Sequence, residues 1–187
     1  MVERNVKKIK NLSLDLLHYG KYAKAQLSPC DPNRPAADVL RLLESRARDE
    51  GVRLEADSSP DLRPILMDAD GIQRCLINLV GNAIDACRDN AEAGRDKQVV
   101  LRTLRVKGGG VEYQVADNGC GMDETLQQRL FQSFFSTKGT DGTGIGLMMT
   151  RRIVDQHQGS IEVRSRFGEG TTVFIRLPAA SSKTMPS

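Results

Sequence analysis

A chain of 187 residues, 39% hydrophobic and 27% charged, is long enough for one domain with a sizeable core and has ordinary globular composition. No run approaches the ~20 apolar residues of a membrane helix. The opening MVERNVKKIK lacks the apolar stretch of a secretory signal, so transmembrane, collagenous and low-complexity classes are excluded and no membrane contact is expected of this segment. Trp is absent and aromatics are only 4%, so the core must be aliphatic.

The net charge of +3 is unevenly spread. Arg4, Lys7, Lys8, Lys10, Lys21 and Lys24 stand against Glu3 and Asp15 near the start, leaving the remainder slightly acidic. Base-stacking aromatics are not interleaved with these charges, so a solvated helix face is expected and a nucleic-acid partner is not. Cys30, Cys75, Cys87 and Cys120 form no close pair, and His18 and His157 complete no zinc spacing. A reduced, cytoplasmic protein is expected.

Val2, Val6, Ile9, Ser13, Leu16, Gly20, Ala23 and Leu27 recur at alternating steps of four and three. This coiled-coil-like seam, weakened by Ser13 and Gly20, predicts a helix over residues 1–28 that wants a partner helix. Pro29, Pro32 and Pro35 break it, and residues 29–35 read as a linker. Residues 36–50 are helical in pattern, 52–56 and 65–67 read as strands, and a long helix is expected from about 69 to 91. After a polar loop at 88–98, strands 99–107 and 111–116 join through Gly108-Gly109-Gly110. Residues 117–143 are glycine-rich and irregular, with a short helix around 124–131. A helix over 144–158 stops at Gly159, strands 160–166 and 171–177 follow, and residues 179–187 read as a disordered tail. Mixed order with hairpins predicts an α+β fold, a two-layer α/β sandwich with helices on one face of a mixed sheet and an N-terminal helical extension.

At about 100° per residue, Ile72, Cys75, Leu76, Leu79, Val80, Ala83, Ile84 and Cys87 fill an arc of about 180° on the long helix. Asn78, Asn82 and Asp85 lie within about 60° of one another beside it. A hydrated polar face would account for one Asn, but Asn is a poor helix former, and three oxygen-bearing side chains on one strip suit Mg²⁺, a hard cation that takes a few oxygen ligands.

Asp117-Asn118-Gly119-Cys120-Gly121 follows a strand. Its carboxylate accepts only, which suits an amino donor such as that of adenine, although a tight Asx turn explains the pattern equally well. Gly142-Thr143-Gly144-Ile145-Gly146 opens a helix, where exposed N–H groups attract phosphate. It is neither a P-loop nor a dinucleotide fingerprint. Between them Phe131, Phe134 and Phe135 anchor a long loop that reads as a lid. Lys138 on it can reach a terminal phosphate or simply be solvated.

Together these segments resemble the ATP-binding domain shared by sensor histidine kinases, DNA gyrase, Hsp90 and MutL. Asn78-x-x-x-Asn82-x-x-Asp85-Ala86 is similar to the N box and Asp117-x-Gly119-x-Gly121 to the G1 box. Residues 131–138 resemble the F box, and Gly142-x-Gly144-x-Gly146-Leu147 the G2 box. Gly168-Glu169-Gly170-Thr171 with Phe174-Ile175-Arg176-Leu177-Pro178 resembles the closing strand. The resemblance implies ATP and Mg²⁺ between the long helix and the lid. Asn82 would ligate Mg²⁺ with Asn78 beside the phosphates, Asp117 would accept from adenine, and Thr171 would assist through water. Gly119, Gly121, Gly142, Gly144 and Gly146 would let the lid close, and Asp85 would orient Asn82 or a water.

The ATP-hydrolysing relatives carry Glu four residues before the Mg²⁺-binding Asn. Here that position is Asn78, and an amide takes no proton, so the resemblance implies a kinase presenting the γ-phosphate to another nucleophile, with Asn78 and Lys138 as candidate catalytic residues. A phosphoacceptor is not evident, since His18 is followed by Tyr19-Gly20 and sits outward on the seam. Residues 1–28 instead resemble the second helix of a dimerisation hairpin, ahead of an ATP-binding domain at 36–178. Expected partners are a histidine-containing hairpin and a response regulator, with a homodimer in the full-length protein. An anti-sigma-type serine/threonine kinase and a non-catalytic nucleotide-sensing module remain alternatives.

Overall fold

The computed structural model describes residues 25–90, 96–130 and 145–179. The seam helix up to residue 24 with His18, the lid with Lys138, Gly142 and Gly144, and the tail beyond residue 179 lie outside the described residues. Residues 25–27 are not helical and Ser28 already begins a strand, so the helix expected over 1–28 does not reach its predicted end.

The elements run β1 (Ser28–Cys30), α1 (Asn33–Asp49), β2 (Val52–Ser58), β3 (Ile65–Met67), α2 (Ala69–Arg88), β4 (Lys97–Arg105), β5 (Val111–Asp117), α3 (Glu124–Arg129), α4 (Gly146–Gln156), β6 (Ser160–Arg166) and β7 (Gly170–Leu177). A five-stranded sheet has the order β2-β4-β5-β7-β6. Only β2 and β4 pair parallel, the other three pairings being antiparallel. The helices cover one face of this mixed sheet, the expected α+β sandwich.

Strand β1 falls inside the proline-rich stretch. It pairs antiparallel with β3, Pro29 opposite Leu66, at an edge where the missing proline N–H is tolerated. Helix α1 begins three residues earlier than its apolar pattern suggested, because Asp31 turns the chain by accepting from Asn33 N–H at 2.9 Å and Pro35 fits a first turn that needs no internal donor. Tyr113, buried in β5, donates from its hydroxyl to the Pro32 carbonyl at 2.9 Å and so ties this entry to the sheet.

All eight apolar positions read on α2 are buried, each worth about 1.5–3 kcal/mol when fully buried for the larger aliphatics. Beneath them lie Val99 and Leu101 of β4, Tyr113 and Val115 of β5 and Ile175 of β7. The four cysteines are free thiols, and burial pushes Cys75 up to about 12 and Cys87 to about 11, so both act as small hydrophobes. The opposite face of the sheet is charged. Arg176 pairs with Glu112 and Glu162, Arg164 with Glu162, and both arginines lie over the Phe174 ring.

Helix α4 closes differently from the sequence expectation. Gln158, not Gly159, takes the left-handed conformation, with φ 55°. Gln158 N–H donates to the Asp155 carbonyl at 2.9 Å and Gly159 N–H to the Val154 carbonyl at 3.0 Å, the bond pair of a Schellman cap. Gly159 is needed for another reason, since a Cβ there would stand 2.5 Å from the Arg176 carbonyl oxygen. His157 is buried at the helix end. Its Nδ1 donates to the Ile153 carbonyl at 2.7 Å while Nε2 accepts from Asp68 N–H at 2.9 Å. That neutral tautomer joins the end of α4 to the N-cap of α2.

Candidate nucleotide site

Helix α2 supplies the floor of the site. Asp68 caps its start by accepting from Gly71 N–H at 3.0 Å. The predicted polar strip runs across the helix between its two neighbours. Asn78 turns toward α4, where its Nδ2 donates to Thr150 Oγ1 at 3.2 Å. Asp85, 6% exposed, turns toward α1 and accepts from Arg46 at 2.6 Å, with Arg88 at 3.3 Å. Gly81 makes room for this pair, since a Cβ there would sit 3.1 Å from the Arg46 guanidinium. Asn82, half-buried, lies one turn beyond Asn78. The strip is therefore one amide bonded to α4, a second amide one turn on and one carboxylate committed to arginine.

Asp117 ends β5 opposite Thr171 of β7. Its Oδ1 accepts from Gly119 N–H at 2.9 Å, which is the Asx turn weighed above, so turn and carboxylate are present together. Burial raises its carboxyl to about 6, opposed by backbone donors at Gly119 and Thr171. A buried carboxyl shifted this far, beside an opening, is a common property of functional sites. The opening is a cavity of about 330 Å³ lined by Asp117, Ser165, Arg166, Gly170 and Thr171 among others. Ser165 Oγ donates to the Gly170 carbonyl at 3.0 Å, so at 2.9 Å from it Thr171 Oγ1 is the donor and keeps its lone pairs for acceptance.

Gly121 and Gly146 are set by close packing. Gly121, at φ 61°, is tight on the Arg166 carbonyl, and a Cβ on Gly146 would overlap Asn78 Oδ1. Gly146 thus leaves room for the N-box amide as well as opening α4, which starts without a side-chain cap.

Three supporting residues were not singled out from the sequence. Thr150 is a buried hydroxyl on the apolar face of α4, and a polar residue at a core-periodic position is the signal that could have found it. Asn118 accepts from Gln98 N–H at 2.9 Å and donates to the Asp96 carbonyl at 2.6 Å, fixing the entry to β4. Its side-chain reach is hidden within the Asx-turn pattern. Arg46 sits 39 residues from Asp85, beyond any local pattern.

The donor set fits the implied ligands. Amide oxygens on α2 are hard donors of the kind Mg²⁺ takes alongside phosphate and water. The acceptor Asp117 beside a cavity suits an amine-bearing base. Among the described residues, no helix is long and apolar enough to cross a membrane.

Known proteins share this arrangement. The chain is 29% identical over 178 residues to the signal transduction histidine-protein kinase AtoS of Escherichia coli K12, covering 95% of this chain and 28% of that one. It is 36% identical over 142 residues to sporulation kinase B of Bacillus subtilis 168, covering 76% of this chain and 31% of that one. The chain therefore spans about a third or less of the length of these relatives. The crystal structure of full-length ShkA in complex with AMPPNP superimposes with a TM-score of 0.79 at 27% identity, covering 92% of this chain and 36% of that one. Residues 67–181, more than half of the chain and all of the boxes from Asn78 to Thr171, match the histidine kinase-, DNA gyrase B-, and HSP90-like ATPase family, to which this chain belongs.

Proposed function

We propose that the chain is the ATP- and Mg²⁺-binding catalytic domain of a sensor histidine kinase, presenting the γ-phosphate to a histidine outside this chain. The observation that carries this reading is the state of the α2 strip. Water attack on a phosphoanhydride is helped by a general base. Asn78 and Asn82 cannot take a proton, and Asp85 is engaged by Arg46 and Arg88.

In this reading Asn82 ligates Mg²⁺ with Asn78 beside it, and bound Mg²⁺ neutralises phosphate charge. Asp117 accepts from the adenine amine, and Thr171 offers lone pairs to a bridging water. Gly119, Gly121 and Gly146 keep backbone close, with Gly142, Gly144 and Lys138 acting from the lid. Asp85 works as a strut between α1 and α2. A histidine nitrogen forms the new bond to the γ-phosphorus while the bond to the β–γ bridging oxygen breaks and ADP leaves. The AMPPNP bound by ShkA and the kinase relatives support nucleotide binding here.

The domain is assigned to residues 36–178 together with β1 and the start of α1 in the stretch 29–35 that the sequence reads as a linker. It is preceded by a segment corresponding to the second helix of a dimerisation hairpin, expected over 1–28, and followed by a tail at 179–187. Partners are that histidine-containing hairpin, in a homodimer of the full-length protein, and a response regulator, all in the cytoplasm.

Single-turnover transfer from labelled ATP to such a hairpin supplied in trans tests the proposal. Acid-labile label on the hairpin is expected. Tight Mg²⁺–ATP binding without transfer would favour a nucleotide-sensing module, and label on serine or threonine an anti-sigma-type kinase.

A further inference from the structure

The amide of Asn78 has two possible orientations, and the residue that selects one is on a different helix. Thr150 is 1% exposed. Its Oγ1 lies 3.0 Å from the Gly146 carbonyl oxygen, one turn back on α4. A carbonyl only accepts, so the hydroxyl's single proton points there. Toward Asn78, at 3.2 Å, Oγ1 can then only accept. The Asn78 atom facing it is therefore the NH₂ group, and the directed chain runs from Asn78 Nδ2–H to Thr150 O–H to the Gly146 carbonyl. Oδ1 is the Asn78 atom nearest Gly146, so close that a Cβ there would overlap it.

We infer that Thr150 is a positioning residue, which locks the Asn78 amide so that its oxygen, and not its nitrogen, is presented to the metal–phosphate end of the nucleotide site. A flipped amide would put N–H groups where a cation or its water requires an acceptor. It would also require the Thr150 hydroxyl to give up its bond to the Gly146 carbonyl in order to donate to Asn78 Oδ1. The same chain ends on the carbonyl at the start of α4, so the orientation of the N-box amide is coupled to the position of Gly146. The inference rests on the nucleotide reading above for its consequence but not for its geometry.

Two measurements on the full chain separate these. The first is titration with a non-hydrolysable ATP analogue with and without Mg²⁺, for wild type, Thr150→Val and Thr150→Ser. Losing an outer-shell hydrogen bond of a metal site costs about 10–100-fold in metal affinity. Thr150→Val is expected to weaken binding about tenfold with Mg²⁺ present and to leave Mg²⁺-free binding unchanged, while Thr150→Ser restores the wild-type value. A merely structural role would weaken both conditions together and would not single out Mg²⁺. The second is the Asn78 side-chain amide signal in NMR spectra of the nucleotide-free protein. Its two protons are expected to be distinctly shifted and protected in wild type and Thr150→Ser, and to become solvent-like in Thr150→Val. An Asn78 signal unchanged in Thr150→Val, or equal loss of affinity with and without Mg²⁺, would overturn the inference. Wild type that fails to bind nucleotide at all would overturn the nucleotide reading instead, with the NMR result still deciding the role of Thr150.

Discussion

Gly119 lies against the backbone of Ala86 so closely that a Cβ would stand 2.5 Å from its carbonyl carbon and 2.6 Å from its oxygen. The neighbouring Cys120 N–H donates to that same oxygen at 3.1 Å. The turn bearing Asp117 is thereby fastened onto the last turn of α2, the helix that carries Asn78 and Asn82. The two halves of the site are thereby held in register, with the Cys87 thiol and the Asn90 amide also bonded to Asn118 of the turn.

Gly119→Ala should therefore damage the fold and the site together. Overpacking of this kind costs about 1–3 kcal/mol, read as a lower denaturant midpoint. Nucleotide affinity should fall in the same variant, because Asp117 moves with its turn.

Asp117 should give the opposite pairing of effects. Burial raises its carboxyl to about 6, so the folded state holds this proton more tightly than the unfolded chain does. The ionised form is thus a cost above about pH 6, relieved as pH falls from there toward 4. Nucleotide-free Asp117→Asn should be more stable than wild type at pH 7, by on the order of 2 kcal/mol, and the difference should vanish near pH 4. Thermal melts at the two pH values check this. The same variant should bind adenine nucleotides more weakly, and wild-type affinity should fall as pH drops through about 6, since a protonated carboxyl loses acceptor capacity.

The Arg46–Asp85 pair should behave as structure. Arg46→Ala leaves a nearly buried carboxylate with only part of its compensation and should cost about 1–3 kcal/mol. Mg²⁺-dependent nucleotide affinity should stay unchanged in the folded variant. Calorimetric titration beside a urea melt separates the two, and loss of affinity without loss of stability would return Asp85 to the ligand-binding set.

Gln158 occupies a left-handed position that glycine fills without strain. Gln158→Gly should stabilise the protein by roughly 0.5–1 kcal/mol, the relief of a Cβ clash less the added freedom of the unfolded chain. A higher melting temperature with unchanged nucleotide binding is expected.

Local periodicity made much of this molecule legible. The apolar arc of α2 needed only a 3.6-residue repeat, and the strands β4 to β7 needed only alternation and glycine turns. The short strand β1 was not legible, because three residues containing Pro29 carry no period and pair only once β3 is beside them. Asn78 and Asp85 share one strip in the sequence, yet they serve different neighbours. That division depends on Thr150, 72 residues from Asn78, and Arg46, 39 residues from Asp85. The stop of α4 reads at Gly159, one residue past the left-handed Gln158, because Gly159 is demanded by the Arg176 carbonyl rather than by the cap.

The central claim is that the α2 amides and Asp117 form one Mg²⁺-dependent ATP site. Calorimetric titration of the chain with a non-hydrolysable ATP analogue, with and without Mg²⁺, in wild type and Asn82→Ala, tests it most directly. Binding strengthened by Mg²⁺ in wild type and a loss of that Mg²⁺ dependence in Asn82→Ala are expected. Binding indifferent to Mg²⁺, or an Asn82→Ala variant that keeps the full Mg²⁺ effect, would contradict it.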